Sequence, residues 1–367
     1  MNILFLANHL NIGGITSYLF TLGRGLKSRG HNIYIACAEG EMLPRFLEEG
    51  IIHLSVPLRT KKEISPKIIY SVFKLKGEIR KNGIEIIHSH SRTTQVLGSL
   101  LSRATGAHYL STCHGFFKPR FLRRIFPCWG QQVIAISEQV KGHLIRDFKI
   151  DEKLITVIHN GIDIESFQNY AFQNKEKLKR KFGLQGKPVV GIIARLSDVK
   201  GHAYLIQAMK MVLEKQPQAQ LFIVGEGKEK ERLIKLAKGL KIEENVVFHP
   251  SVSDTREALS VIDLFVMPSL KEGLGLAIME AMASGKAVIG SNIGGIKSLI
   301  RDDFNGVLVE PANAQALADA ISSLLSDEKK LEFFSRNAVN FIRDNFSIGA
   351  MIAQTERVYL ECINQRN

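Results

Sequence analysis

The stretch Val133-Ile134-Ala135-Ile136 decides the fold of this 367-residue chain. Successive side chains of a strand point to opposite faces, so a strand with one wet face alternates apolar and polar residues. All four residues here are apolar, which requires cover on both faces, as in a parallel sheet flanked by helices. Outward from this run, similar runs recur at residues 3–7, 33–36, 51–56, 84–88 and 108–113, most of them separated by helix-length segments. This alternation predicts a doubly wound parallel sheet.

The rhythm restarts after a polar stretch, residues 168–187, that contains Asn174-Lys175-Glu176-Lys177-Leu178-Lys179-Arg180-Lys181 and ends at Gly186-Lys187-Pro188. Beyond it, runs at 189–194, 221–224, 246–249, 264–267, 287–289 and 307–309 predict a second sheet of the same kind. Residues 346–363 read as a helix with no strand after it. The expected organisation is an N-terminal Rossmann-like domain over 1–165, a linker over 166–187, a C-terminal Rossmann-like domain over 188–345 and a closing helical segment over 346–367.

Hydrophobic residues at 45% and charged residues at 23% match an average globular chain and exclude collagen-like and disordered classes. The four cysteines, Cys37, Cys113, Cys128 and Cys362, form no Cys-x-x-Cys pair, so neither a disulfide framework nor a zinc site is expected, and a reducing cytoplasm is the simplest setting. The apolar start Ile3-Leu4-Phe5-Leu6-Ala7 stops at Asn8-His9 without a basic leader, which reads as a strand and not a signal peptide. No run of about 18 apolar residues predicts a membrane span, although a place on the membrane surface stays open.

The charge is unusual: 49 Lys+Arg against 36 Asp+Glu gives +13, which points to an anionic partner. Residues 1–165 hold 22 basic and 13 acidic side chains, net +9, so most of the excess lies in the first domain. It is densest at Lys118-Pro119-Arg120-Phe121-Leu122-Arg123-Arg124-Ile125-Phe126, where cations alternate with aromatic and aliphatic residues. Lys118, Arg120, Arg123 and Arg124 fit docking to an anionic acceptor or membrane interface, and equally an amphipathic helix with solvated cations.

Three segments carry chemistry. Gly13-Gly14 lies between the first strand and a helix, where bare amides form an anion site, although Gly-x-Gly-x-x-Gly is absent. Arg195 and Lys200, just past the strand that opens the second domain, fit a diphosphate, the one as a fork and the other as a point charge, or else two solvated cations. The sharpest segment is Lys271-Glu272-Gly273-Leu274-Gly275-Leu276-Ala277-Ile278-Met279-Glu280-Ala281-Met282-Ala283-Ser284-Gly285. It predicts a loop carrying Glu272, a helix from about Leu276 to Gly285 carrying Glu280, and free amides around Gly275 and Leu276 that suit a phosphate. Eight residues of helix span about 12 Å, wider than a glycosidase carboxylate pair, so the two glutamates fit two ends of an elongated ligand. His88-Ser89-His90 places two imidazoles at a strand end with no third metal ligand at useful spacing, and reads as the end of that strand near the ligand cleft.

Taken together, these segments resemble a family-4 retaining glycosyltransferase (glycosyl transferases group 1 type) of the GT-B fold, in which two Rossmann-like domains face each other across a cleft. The resemblance spans nearly the whole chain. It is carried by Glu272 and Glu280 with seven residues between them, and supported by Gly13-Gly14, His114-Gly115, Asn160-Gly161-Ile162-Asp163, Arg195 with Lys200-Gly201, Gly225-Glu226-Gly227, Gly294-Gly295 and Asn305-Gly306. It implies that His114 faces the donor sugar near the reacting carbon, Glu272 contacts sugar hydroxyls and Glu280 the ribose. Arg195, Lys200, Gly14, Gly275 and Leu276 then meet the diphosphate, and the closing helix packs back towards the N-terminal domain. After Gly294-Gly295 the family shows Pro and then Glu two and three residues on; Lys297 and Ser298 stand there instead, so no acidic contact is carried over.

The implied function is retaining transfer of a hexose from a nucleoside-diphosphate sugar, UDP-linked first, to a glycan or lipid-linked acceptor of cell-surface polysaccharide or lipopolysaccharide. The implied place is the cytoplasm, at the inner face of the membrane. No Asp-x-Asp triad occurs, so the expectation is no cofactor and no metal, with the cations offsetting the diphosphate charge. A nucleotide-sugar epimerase or a phosphorylase of similar architecture is the alternative enzyme. A basic nucleic-acid-binding protein is the non-enzyme alternative, and no recognition-helix or aromatic ribonucleoprotein motif supports it.

Overall fold

The computed structural model describes residues 1–60, 65–119, 123, 126–170, 175–185 and 188–364. The chain divides into two compact units, Met1–Gly161 with Ile348–Asn367, and Ile162–Ser347.

The first unit is built on seven parallel strands: β1 Asn2–His9, β2 Asn32–Ala38, β3 Ile52–Ser55, β4 Ile86–Ser89, β5 His108–Cys113, β6 Gln132–Ala135 and β7 Ile155–Val157, in the order β3-β2-β1-β4-β5-β6-β7. Residues Val133 to Ile136 are buried throughout, as their apolar run requires. Alternate residues of β1 serve opposite layers. Ile3, Phe5 and Ala7 pack with Leu19, Leu22 and Leu26 of the helix Gly14–Ser28 and with Met351 and Tyr359 of the helix Ile348–Asn364. Leu4 and Leu6 pack with Leu75 and Ile79 of the helix Pro66–Lys81 and with Leu97 and Leu101 of the helix Arg92–Thr105. Each helix therefore buries one stripe on one sheet face, which is the doubly wound arrangement. The closing helix meets the helix Gly14–Ser28 at Gly25, where a Cβ would stand 1.9 Å from the Ile352 Cδ1.

The second unit holds six parallel strands: β8 Val189–Ile193, β9 Gln220–Val224, β10 Val246–His249, β11 Leu264–Met267, β12 Ala287–Ser291 and β13 Val307–Val309, in the order β10-β9-β8-β11-β12-β13. In both sheets the strand order reverses direction beside the first strand, between β1 and β4 and between β8 and β11. Such a switch point opens a crevice at the carboxyl ends of the strands, where ligands bind in open α/β sheets.

Three expectations are corrected. Strand β7 escapes the sequence reading because Ile155-Thr156-Val157 is three residues long, with two of them only half-buried at the sheet edge. Residues 166–187 are no linker: the first unit ends at Gly161, and the described part of this segment belongs to the second unit. Leu178, Phe182 and Leu184 are buried there, and the Lys175 ammonium pairs with Asp263 at 2.6 Å, so apolar burial and an ion pair bind the polar stretch to its sheet. The closing helix starts at Ile348, two residues later than read.

Candidate active site

In the second unit the site residues come together on the ends of three adjacent strands. β8 leads through Ala194-Arg195-Leu196-Ser197 into a 3-10 turn, Asp198–Lys200, and then the helix His202–Lys215. β11 leads through residues 268–275 into the helix Leu276–Ala283, and β12 through residues 292–295 into the short helix Ile296–Leu299.

Glycines allow these loops to touch. At Gly201, with φ +74°, a Cβ would lie 1.8 Å from the Pro268 carbonyl oxygen, and the Leu270 amide donates to the Val199 carbonyl at 2.8 Å. The turn after β8 is thereby locked to the loop after β11. At Gly295 a Cβ would lie 2.1 Å from the Gly273 oxygen, while the Gly295 amide donates to the Glu272 carbonyl at 3.1 Å. The Gly294-Gly295 loop thus supports the Glu272 loop from below through backbone contact. Lys297 is exposed, so the replacement of the resemblance's Pro and Glu by Lys297 and Ser298 leaves this support intact.

The locked loops bring Lys200 and Glu272 together: the Lys200 ammonium donates to the Glu272 Oε2, with side chains only 20% and 16% exposed. A pair this sheltered is less screened than a surface salt bridge, and Lys200 holds the carboxylate in one place. Gly275, at φ +100°, is the residue before the helix Leu276–Ala283 and has no side-chain cap, so the first amides of that helix stay open to an anion. Arg195 is exposed and forms no ion pair among the described residues. His202 is buried, with both ring nitrogens without a partner among the described residues; burial, and secondly the Lys200 charge, lower its pKa to about 4.

Glu280 lies one turn and more into the helix, on a half-buried face. Burial pushes its carboxyl up to about 7; the Thr255 hydroxyl bond opposes this and the Asp254 carboxylate adds to it. Asp254 is in turn clamped by Arg256, whose Nη1 also donates to the Ser166 hydroxyl at 2.7 Å. Thr255 and Asp254 escaped the sequence reading, since no motif surrounds them and only the fold carries them to Glu280.

In the first unit, Gly13, Gly14 and Ile15 are exposed at the start of the helix Gly14–Ser28, whose first turn has no side-chain cap. His114 follows β5, half-buried, with its pKa lowered to about 3 by burial. Its Nε2 lies 3.1 Å from the Nδ1 of His90, and the Tyr18 ring meets it edge-on at 4.8 Å. His88 and His90 lie inside the core at the end of β4, a role that the His-x-His spacing signalled only as a strand end. Of the basic segment, Lys118 is exposed and Arg123 stacks over Phe117 at 5.0 Å; Arg120 and Arg124 lie outside the described residues. No described helix is long and apolar enough to cross a membrane, and no group of three or more His, Cys, Asp or Glu among the described residues is arranged to hold a metal ion.

Comparison with known proteins identifies the family and the fold. Residues 12–166 match the model of Glycosyltransferase Family 4, and residues 174–341 that of Glycosyl transferases group 1. An uncharacterized glycosyltransferase of Methanocaldococcus jannaschii is 28% identical, over 95% of this chain and 94% of its own. The Escherichia coli UDP-Gal:alpha-D-GlcNAc-diphosphoundecaprenol alpha-1,3-galactosyltransferase is 27% identical over 92% of this chain and 91% of its own. Among solved structures, a glycosyltransferase from Rickettsia africae superposes with TM-score 0.85 at 26% identity, over 99% of this chain and 98% of that one. Anabaena HepE in complex with UDP-glucose superposes with TM-score 0.86 at 23% identity, over 98% and 100%. With both units matched and the two parallel sheets in place, the chain belongs to the family 4, group 1 glycosyltransferases of the GT-B fold.

Proposed function

We propose that this glycosyltransferase moves a hexose, with retention of configuration and without a metal ion, from a UDP-sugar to a glycan or lipid-linked acceptor in cell-surface polysaccharide synthesis. The observation that carries the reading is the cluster on β8, β11 and β12: a sheltered Lys200–Glu272 pair beside the uncapped helix start at Gly275 and Leu276, with Glu280 on the same helix. Departure of a nucleoside diphosphate builds negative charge on its phosphates and positive charge on the anomeric carbon. Arg195, Lys200 and the amides of Gly275 and Leu276 stabilise the first, and the Gly14 helix start is assigned to the same charge. Glu272, held by Lys200, takes the sugar hydroxyls, and Glu280 takes the ribose hydroxyls. His114 is assigned to the sugar being transferred. The leaving phosphate itself helps to deprotonate the acceptor in a front-face displacement.

An acceptor with an apolar tail is supported by a cavity of about 700 Å³ in the first unit. Val96, Leu100, Phe126, Trp129 and Leu154 line it, with Arg103 and Lys149 among its polar members. An apolar wall beside cations suits an amphipathic anion, the chemistry of the diphosphoundecaprenol acceptor named for the Escherichia coli relative. The corresponding place of action is the cytoplasmic face of the membrane.

The test is UDP release from UDP-glucose, UDP-galactose and UDP-N-acetylglucosamine, each offered with lipid-diphosphate and glycan acceptors in the presence of EDTA. Acceptor-dependent UDP release that EDTA does not change, with an α-linked product, is expected. Strict dependence on added divalent metal, or an inverted product, rejects the mechanism.

A further inference from the structure

Three imidazoles meet at the carboxyl ends of β4 and β5. The His88 and His90 ring centroids are 4.1 Å apart, and those of His90 and His114 are 5.4 Å apart. His88 has both nitrogens engaged: Nδ1 with the Tyr359 hydroxyl and Nε2 with the Thr112 hydroxyl, each at 2.7 Å. The His90 ring has one hydrogen-bond partner among the described residues. Its Nδ1 lies 3.1 Å from the His114 Nε2, while its own Nε2 is buried without a partner among them. Phe5 meets the His90 ring edge-on at 5.7 Å and Tyr18 leans on it at 5.7 Å, so the ring is held on two sides.

Burial keeps His90 and His114 neutral, so each ring carries one N–H. One of the two facing nitrogens donates and the other accepts. Were His114 the donor, the single N–H of His90 would sit on its Nε2, a buried donor with no acceptor, which is unfavourable. With His90 Nδ1–H as the donor, only a lone pair is left bare at Nε2, and orphaned buried N–H groups are the rarer kind. The His114 proton then resides on Nδ1.

We propose that His90 is a positioning residue for sugar transfer: its Nδ1–H fixes the ring and the tautomer of His114, which presents an N–H donor, not a basic lone pair, at its other nitrogen. The inference rests on the assignment of His114 to the transferred sugar. It makes His114 a donor to a hydroxyl or ring oxygen of that sugar and removes it as the general base. The three neighbouring rings divide accordingly: His88 ties β4 to the closing helix and to β5, His90 passes the orientation on, and His114 delivers it.

Two substitutions separate this role from packing. His90→Asn keeps an amide N–H near the Nδ1 position but empties the ring space; His90→Phe fills the ring space but removes the donor. Positioning predicts that His90→Phe lowers kcat for UDP release at least tenfold with donor KM unchanged, the equivalent of one lost hydrogen bond of about 1.4 kcal/mol. His90→Asn should then stay within about threefold of wild type. A packing role predicts the reverse order, with activity following the melting temperature, and that result, or equal losses in both variants, overturns the proposal. His114→Ala separates the underlying assignment: a fully active His114→Ala enzyme overturns that assignment together with the proposal. An impaired His114→Ala beside a wild-type-like His90→Phe overturns the proposal alone. Independently of turnover, a two-bond ¹H–¹⁵N spectrum of the histidine-labelled wild-type protein should show His114 protonated at Nδ1. Protonation at Nε2 overturns the proposal.

Discussion

Replacing Glu280 with Gln should make the second unit more stable at high pH while it weakens the nucleotide site. The Glu280 carboxyl titrates at about 7 in the folded chain, against an ordinary value of 4.5, chiefly because burial disfavours its charge. Between those two values the folded chain holds a proton that the unfolded chain has released. The folded state binds more protons in that window, so stability falls as pH rises through it. The difference of about 2.5 units corresponds to about 3 kcal/mol, present in full below the unfolded value and lost by the time pH passes the folded one. Gln has the shape of the neutral acid and nothing to ionise. Urea unfolding of the Ile162–Ser347 unit, followed by circular dichroism, should therefore give similar stabilities for both proteins at pH 4. At pH 8 the variant should be ahead by about 3 kcal/mol. The difference between the two proteins cancels the titrating groups that do not interact with Glu280, Asp254 being the one that does. Binding should move the opposite way: ribose hydroxyls donate better to a carboxylate than to its neutral acid, so wild-type UDP affinity, measured by calorimetry and divided by that of the variant, should fall as pH drops below about 7. A stability difference that is flat from pH 4 to pH 8, or that grows towards acid, refutes the reasoning.

Gly295→Ala would drive its Cβ to within 2.1 Å of the Gly273 oxygen and 2.4 Å of the Leu274 Cα. The Glu272 loop must shift, so UDP affinity should fall at least tenfold and stability by about 1–3 kcal/mol, while exposed Lys297→Ala changes neither; wild-type-like calorimetry for Gly295→Ala would remove the supporting role of that loop. Lys200→Met should weaken UDP about tenfold and leave uridine affinity unchanged, as the proposed assignment of this cation to the diphosphate requires; equal losses for UDP and uridine would place Lys200 elsewhere.

Much of this site was legible in one dimension. The glycine loop, the helix that begins at Leu276 and ends before Gly285, and the loop position of Glu272 against the helical position of Glu280 all follow from turn chemistry and local periodicity. What was missed has a common cause. The polar stretch 166–187 reads as a linker because its lysines dominate, yet Leu178 and Phe182 at helix spacing bury themselves on the second sheet. His88 and His90 read as a strand end because their partners, Tyr359 and His114, are 271 and 24 residues away. Neither partner leaves a mark in the local pattern.

The amino-acid order alone determined that strands run through Val133-Ile134-Ala135 and its counterparts, that helices cover both faces, and that Glu272, Glu280, Arg195 and Lys200 follow strand ends. These are consequences of apolar periodicity and glycine placement, which act over a few residues. Only the tertiary structure decided that Lys200 pairs with Glu272 across 72 positions, that Gly295 supports the Glu272 loop, and that burial lifts Glu280 to about 7. It alone decided that the His90 Nδ1 comes within 3.1 Å of the His114 Nε2. Pairing and desolvation depend on which groups the closed chain brings together and shields from water, and strand order, reversing beside β1 and β8, is what sets that company.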